Sequence, residues 1–118
     1  MRIFVIDDDK MWEDYYRRVL RGFDLDFFHD GVVAISEMDE KRPDAIVLDI
    51  LLTGPTGFAV LNEMRSYSEL ADVPVVIVSS VEIRAELADD YGVAAILDKS
   101  TMTPKGFRAK IEEVLNAA

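Results

Sequence analysis

The sequence predicts an α/β domain in which helices cover both faces of a parallel β-sheet. Five short apolar runs alternate along the chain with stretches whose apolar residues recur at helical spacing. Several runs contain no polar residue, which is typical of strands that are buried on both faces of a parallel sheet. The short connections between strands and helices are typical of βαβ units, which build a doubly wound sandwich.

The predicted strands are short, and most of them are rich in β-branched and aromatic residues. They cover residues 2–6, 24–28, 44–49, 75–78 and 93–97. The third strand shows the pattern most clearly, because four apolar residues run without alternation from Ala45 to Leu48 and are followed by a carboxylate. Open α/β sheets bind ligands at the carboxyl ends of their strands. Asp49 is therefore either a local cap or part of a functional site.

A stretch in which apolar residues recur at helical spacing follows each predicted strand. The predicted helices are 10–21, a helix capped by Asp30 that ends before Pro43, a helix marked by Phe58, Leu61, Met64 and Tyr67, a helix over 82–91, and a last helix that begins at Pro104. The expected inward-facing residues are Trp12, Tyr15, Tyr16, Val19 and Leu20 in the first helix, Val33, Ala34, Ile35 and Met38 in the second, and Phe107, Ile111, Val114 and Leu115 in the last. Gly22 and Gly92 are expected to end helices. Thr103 is the expected cap of the last helix, because proline is favoured at the first helical position that follows it.

Length and composition are those of one globular domain over residues 1–118. The chain contains 50% hydrophobic and 31% charged residues, unlike a disordered chain. It has no cysteine, which excludes disulfides, zinc–thiolate sites and iron–sulfur clusters. The formal net charge of −10 argues against direct nucleic-acid binding, because an acidic surface repels phosphate backbones. No membrane-length apolar run or signal-peptide pattern is present, so we expect a cytoplasmic location.

Polar residues suited to metal binding occur at the ends of four strands. They are Asp7, Asp8 and Asp9 after strand one, Asp49 at the end of strand three, Ser79 after strand four and Lys99 after strand five. If these strands are neighbours, the side chains converge on one edge of the sheet. Carboxylates packed there need a positive charge among them, and Mg²⁺ is suited to such hard oxygen ligands.

The same groups are able to hold a phosphoryl group. A metal ion and Lys99 would neutralise the charge on the phosphoryl oxygens, and the Ser79 hydroxyl would donate a hydrogen bond. Asp49 is the expected nucleophile because it stands alone at its strand end, whereas the acidic cluster after strand one is better suited to hold the metal. Carboxylate nucleophiles form aspartyl phosphates.

At these residues the chain resembles the receiver domain of two-component response regulators, either stand-alone or excised. The resemblance covers essentially the whole chain. Its motifs are residues 5–9 (VIDDD), 43–49 (PDAIVLD) followed by Gly57-Phe58, 73–80 (VPVVIVSS), and the segment from Gly92-Val93 to Lys99. The order and spacing of these four segments make the resemblance strong. The implied fold is a flavodoxin-like (βα)5 sandwich with the strand order 2-1-3-4-5.

The resemblance implies a role for each acidic residue. Asp49 would accept a phosphoryl group from a phosphohistidine on a sensor histidine kinase or a histidine phosphotransfer protein. Asp8 and Asp49 would bind Mg²⁺ directly, together with the backbone carbonyl of Leu51. Asp7 would act on the metal mainly through water.

The resemblance also implies how the signal leaves the site. Lys99 would contact the phosphoryl oxygens, and Ser79 would move towards them and bias two arrangements of the last two strands and their helices. A downstream protein would bind at the fourth helix, fifth strand and fifth helix. Such a chain is a phosphorelay switch rather than an enzyme, since it catalyses only its own phosphorylation and dephosphorylation.

Some positions depart from the family pattern. Ser79 replaces the commoner threonine and keeps the hydroxyl, whereas Ile96 replaces the aromatic residue that usually couples to it. Ser100 replaces the proline that commonly follows the lysine through a cis peptide. Because a non-proline cis bond costs about 2.5–4 kcal/mol, we expect a trans bond before Ser100. Leu51 and Val81 are unable to orient an attacking water, so we expect a long-lived phosphorylated form.

Three other classes of protein fit the sequence less well. A haloacid-dehalogenase-like phosphatase would use Asp7 and Asp9, but Lys10 stands where a glycine is expected, and the chain is short for such an enzyme. A flavodoxin-like flavin carrier would have a loop rich in serine, threonine and glycine after strand one, where this chain is acidic. A degenerate receiver that only binds proteins is disfavoured by the intact acceptor, metal-ligand and lysine positions.

Overall fold

Five parallel strands and the helices that connect them form the structure, a computed structural model that describes residues 1–52, 56–84, 86, 89–90 and 92–117. The elements are β1 (Arg2–Ile6), α1 (Met11–Val19), β2 (Asp24–Phe28), α2 (Gly31–Met38), β3 (Ala45–Asp49), α3 (Gly57–Arg65), β4 (Val75–Ser79), β5 (Ala95–Asp98) and α4 (Pro104–Ala117). The strands form one sheet in the order β2-β1-β3-β4-β5, and all neighbouring pairs are parallel. The predicted doubly wound, flavodoxin-like topology is confirmed.

Two hydrophobic cores lie on opposite faces of the sheet. Successive residues of a strand point to opposite faces. Phe4 and Ile6 of β1 therefore pack in the core with α2 and α3, whereas Ile3 and Val5 pack in the core with α1 and α4. β3 and β4 are buried along their whole length. This double-sided burial explains why both strands are almost entirely apolar.

Local signals in the sequence place several helix ends. Asp30 caps α2, because its carboxylate accepts hydrogen bonds from two backbone N–H groups at 2.7 and 3.2 Å. The Thr103 hydroxyl accepts one from the N–H of Gly106 at 3.0 Å and caps α4. The chain turns away after α1 through Gly22, whose φ of +101° lies in the region that glycine adopts readily. The predicted caps Asp30 and Thr103 are confirmed, whereas Gly22 turns the chain two residues after Leu20, the C-cap of α1, and does not itself end the helix.

Several predicted boundaries differ from the observed ones. α1 is shorter than the predicted helix 10–21, and β5 begins and ends later than the predicted strand 93–97, because its ladder pairs Ser79 of β4 with Asp98. Within the predicted helix 82–91, residues 82–84 are not helical and residues 86, 89 and 90 are helical. Residues 85, 87–88 and 91 of that helix, and residues 53–55 of the loop after β3, lie outside the described residues.

One residue predicted to face inwards, and one residue predicted to mark the third helix, are exposed. Val33 is 51% exposed, because the buried line of α2 passes through Gly31, Ala34 and Met38 at spacings of three and four residues. Tyr67 is 43% exposed and lies beyond the end of α3. None of the helices in the described part of the chain has the length and apolar character needed to cross a membrane.

Candidate functional site

Polar side chains lie together at the carboxyl ends of four neighbouring strands. Asp7 directly follows β1, Asp49 and Ser79 end β3 and β4, and Lys99 directly follows β5. Because the strands are adjacent and parallel, their ends meet at one edge of the sheet. Asp7, Asp49 and Ser79 are buried, at 5%, 4% and 1% exposed. The predicted convergence of these residues is observed.

Lys99 bridges the two buried carboxylates. Its Nζ donates hydrogen bonds to Asp7 Oδ2 at 2.6 Å and to Asp49 Oδ2 at 2.9 Å. The ring of Trp12 in α1 covers the ammonium group, with 4.7 Å between Nζ and the ring centroid. The Lys99 side chain is only 6% exposed. The ammonium group therefore offsets two buried negative charges in a site that is largely closed to solvent.

Burial and charge shift the pKa of both groups in the Lys99–Asp49 pair. Burial raises the pKa of Asp49 more than the hydrogen bonds from Lys99 and the Leu51 N–H lower it. For Lys99, burial is the largest single influence and lowers the pKa, but the hydrogen bonds to Asp7 and Asp49 and the negative charges of these carboxylates together raise it above the ordinary value. Lys99 is consequently charged at neutral pH.

The carboxylate of Asp7 accepts hydrogen bonds from three donors. Besides Lys99, the hydroxyl of Tyr16 donates to Oδ2 at 2.9 Å and the backbone N–H of Asp9 donates to Oδ1 at 3.0 Å. Burial and then the Asp7 carboxylate raise the pKa of Tyr16, so its hydroxyl keeps its proton. The sequence predicted that Tyr16 faces inwards but not this contact. The sequence offered one signal for this contact: the inward stripe of α1 contains a tyrosine where a purely apolar residue would be enough for packing.

The three consecutive acids after β1 have different environments. Asp7, Asp8 and Asp49 each place a carboxylate oxygen within 4.8 Å of the other two. Asp9 is exposed, and its Oδ1 accepts a hydrogen bond from the Met11 N–H at 3.0 Å at the start of α1. The Asp9 side chain thus binds the backbone at the start of α1, which argues against the phosphatase hypothesis that pairs it with Asp7.

The donor set of the Asp7–Asp8–Asp49 cluster fits a hard divalent cation. It supplies carboxylate oxygens, and Mg²⁺ prefers oxygen ligands and keeps several waters. Asp8 is partly exposed, so water reaches the cluster on its side. Leu51 lies beside the cluster, since its N–H donates to Asp49 Oδ1 at 3.0 Å.

The hydroxyl of Ser79 is bonded to its own loop. It accepts a hydrogen bond from the Val81 N–H at 3.1 Å, while the Ser79 carbonyl accepts one from the Lys99 N–H at 2.8 Å. Ser79 is therefore adjacent to Lys99, and a hydroxyl that accepts this bond still has its own proton to donate to a ligand at Asp49.

Backbone geometry supports the site at two further positions. A Cβ at Gly57 would lie 2.7 Å from the Asp49 carbonyl oxygen, so the return of the loop after β3 requires glycine there. The described backbone contains no cis peptide, which confirms the predicted trans bond before Ser100. The Ser100 N–H and hydroxyl instead bind Asp98 Oδ1 at 2.8 and 2.6 Å.

Known proteins share this fold and sequence pattern. The family model of the response regulator receiver domain matches residues 3–112. Response regulator MprA of Mycobacterium avium is 34% identical over 100 residues, which cover 77% of this chain and 43% of MprA. The chain thus spans less than half the length of that relative.

Two solved structures superpose over nearly the whole chain. The phosphorylated cyanobacterial phytochrome response regulator RcpA is 26% identical, with a TM-score of 0.83 over 99% of this chain and 95% of RcpA. Chemotaxis protein CheY4 of Vibrio cholerae is 20% identical, with a TM-score of 0.85 over 96% of this chain and 97% of CheY4.

The sheet order, the acidic edge and the family model point to one class of protein. Receiver domains of this class are phosphoryl-accepting switches that interact with histidine kinases or phosphotransfer proteins, and their acidic cluster generally binds Mg²⁺. The chain belongs to the response regulator receiver domain family and functions in phosphorelay signalling.

Proposed function

We propose that residues 1–118 form one receiver domain in which Asp49 accepts a phosphoryl group from the phosphohistidine of a sensor histidine kinase or a histidine phosphotransfer protein. The observation that carries this proposal is the bridge from Lys99 to Asp49 at 2.9 Å. It sets a buried carboxylate against a fixed positive charge at the ligand-binding edge of the sheet. The phosphorylated state of the relative RcpA supports the same chemistry.

Two donors hold the orientation of the Asp49 carboxylate. One carboxylate oxygen is bound by the Leu51 N–H and the other by Lys99. A carboxylate oxygen forms the new bond to phosphorus as the bond from phosphorus to the donor imidazole nitrogen breaks, and the imidazole leaves with the electron pair. Lys99 would then contact the phosphoryl oxygens, because their negative charge replaces that of the free Asp49 carboxylate.

The metal side of the site is assigned to the acidic cluster. Asp8, Asp49 and the Leu51 carbonyl would hold Mg²⁺ directly, and Asp7 would act through water. The bound ion supplies positive charge to the phosphoryl oxygens. Asp7 and Asp8 keep that ion beside the acceptor.

The output step is assigned to the last strands. The Ser79 hydroxyl would donate its proton to a phosphoryl oxygen, and the movement towards that oxygen would shift the end of β4 against β5. The downstream partner is a protein that binds at the predicted fourth helix, β5 and α4. Ile96 has no hydroxyl or aromatic ring that could couple to the Ser79 hydroxyl. We therefore expect the backbone of β4 and β5 to transmit the shift.

Phosphorylation by acetyl phosphate with Mg²⁺, followed by intact mass, tests the acceptor. The expected result is one added phosphate in the native chain and none in Asp49→Asn. Asp9→Asn is the matched control: Asp9 is the third of the three consecutive acids, its side chain binds the Met11 N–H rather than the site, and its replacement should leave the addition intact.

Other outcomes would contradict the proposal. Phosphate addition that survives Asp49→Asn rules out Asp49 as the acceptor. Turnover of p-nitrophenyl phosphate that survives Asp49→Ala and is lost in Asp7→Ala favours the phosphatase. No addition from either acetyl phosphate or a cognate kinase favours a degenerate receiver.

A further inference from the structure

Helix α1 contacts both members of the Asp7–Lys99 ion pair through aromatic side chains. The hydroxyl of Tyr16, a fully buried residue, donates to Asp7 Oδ2, and the ring of Trp12 covers Lys99 Nζ. The two rings lie 6.0 Å apart between centroids. Neither residue takes part in the phosphoryl transfer described above, so the contacts of Tyr16 with Asp7 and of Trp12 with Lys99 have a different role.

The donors to Asp7 limit how it is able to act. A carboxylate offers about four acceptor positions, and Lys99, Tyr16 and the Asp9 N–H use three of them. One position is left for a water bound to a metal ion. The fixed donors therefore decide which way the free position points.

Tyr16 becomes more important when Lys99 turns to a phosphoryl group. Asp7 then loses its positive partner while it stays buried, and a buried carboxylate without partners is costly. The Tyr16 hydroxyl and the Asp9 N–H are the donors that remain. Of these, only the Tyr16 hydroxyl donates from a helix, α1. It donates to Asp7 Oδ2, the same oxygen that Lys99 would leave.

We infer that Tyr16 is a positioning residue that holds Asp7 towards the metal side of the site and so sets the affinity of the domain for Mg²⁺. This inference deepens the proposed function and rests on its metal site. Tyr16 would touch neither the metal nor the phosphoryl group, and it would act entirely through the Asp7 carboxylate.

The neighbouring tyrosine provides a matched control. The Tyr15 hydroxyl is also buried, but it has no hydrogen-bond partner among the described residues. Both tyrosine rings pack against Phe107, with centroids 6.1 and 5.9 Å away. Tyr16→Phe and Tyr15→Phe therefore each remove one buried hydroxyl and keep the ring contacts, but only Tyr16→Phe removes a donor to Asp7.

The test is calorimetric titration of the native chain and both variants with Mg²⁺, with urea unfolding to verify the fold. Removing a group that orients a metal ligand typically weakens metal affinity by about 10–100-fold. Because Asp7 acts through water, we expect Tyr16→Phe to lie near the lower end, roughly tenfold. Tyr15→Phe should bind Mg²⁺ as the native chain does. With acetyl phosphate, Tyr16→Phe should need more Mg²⁺ for half-maximal labelling but reach the native rate at saturation.

A double-mutant cycle with Asp7→Asn keeps the test decisive if Tyr16→Phe also lowers stability. Because Tyr16 acts through Asp7, Tyr16→Phe should change Mg²⁺ affinity no further in the Asp7→Asn background. Unchanged affinity in Tyr16→Phe, an equal loss in Tyr15→Phe, or a full additional loss in the double variant would each overturn the inference. If Asp49 is phosphorylated and the native chain binds Mg²⁺, those results leave the proposed function intact. A native chain that binds no Mg²⁺ overturns both the metal site and the inference.

Discussion

Replacing Lys99 with methionine, which has a similar length and no charge, is expected to destabilise the fold when no metal is present. The Lys99 side chain is 6% exposed and donates to two carboxylates that are themselves buried. The substitution fills the same space and removes the positive charge, so Asp7 and Asp49 are left to repel each other.

The geometry of the site gives the size of the effect. Oxygen atoms of Asp7 and Asp49 lie within 4.8 Å of each other. Two unit negative charges at that separation, with an effective dielectric constant of about 20, repel by about 3.5 kcal/mol. Breaking a buried ion pair by removing one partner typically costs roughly 3–5 kcal/mol. Since domains are stable by about 5–15 kcal/mol, most of the Lys99→Met protein should remain folded in water.

Urea unfolding followed by circular dichroism measures the loss, with Lys105→Met on the exposed face of α4 as the control. Mg²⁺ should restore more stability to Lys99→Met than to the native chain, because the ion supplies the positive charge that the variant lacks. A loss no larger than the roughly 0.5 kcal/mol of ordinary surface substitutions would show that Lys99 does not offset the two charges. Equal stabilisation of both proteins by Mg²⁺ would show the same.

Three further predictions concern the surroundings of the site. Arg65 donates to four backbone carbonyls between α3 and β5, so Arg65→Lys should lower the free energy of unfolding by about 2 kcal/mol; an unchanged urea midpoint would contradict this. The hydroxyl and then the N–H of Ser100 lower the pKa of Asp98, so in Ser100→Ala this pKa should rise in an NMR titration. Because the folded pKa is depressed, the stability that Asp98 contributes is present above its unfolded pKa of about 3.9 and is lost as pH falls through the folded value, and the difference between the two proteins should vanish in acid. Leu51 and Val81 are 49% and 44% exposed apolar residues beside the site; we expect a phosphoryl half-life well beyond seconds in Mg²⁺ buffer, shortened severalfold by Leu51→Asn, and a native half-life of seconds would contradict this.

Much of the fold was predictable because its signals are local. The uninterrupted apolar run of β3, the Asp30 and Thr103 caps and the turn at Gly22 each depend on a few neighbouring residues. The polar residues at the strand ends were also predictable, since the carboxyl ends of parallel strands share one edge. The ends of elements and the direction of single side chains were less predictable. β5 ends at Asp98 because of its ladder with β4. Val33 is exposed because the buried line of α2 passes through Gly31, Ala34 and Met38.

The contacts and environment of each site residue depended on tertiary structure. Residue type and spacing do not distinguish the three acids after β1, but packing makes Asp7 a buried partner of Lys99 and turns the Asp9 side chain to the backbone at the start of α1. Lys99 contacts Asp7 and Asp49 across 92 and 50 residues of chain. Such contacts have no periodic signal, because they arise only when separate strands meet at the edge of the sheet. Amino-acid order alone therefore determined the fold class and the candidate acceptor Asp49, whereas the packing of α1 against the sheet brought Tyr16 to Asp7 and Trp12 to Lys99.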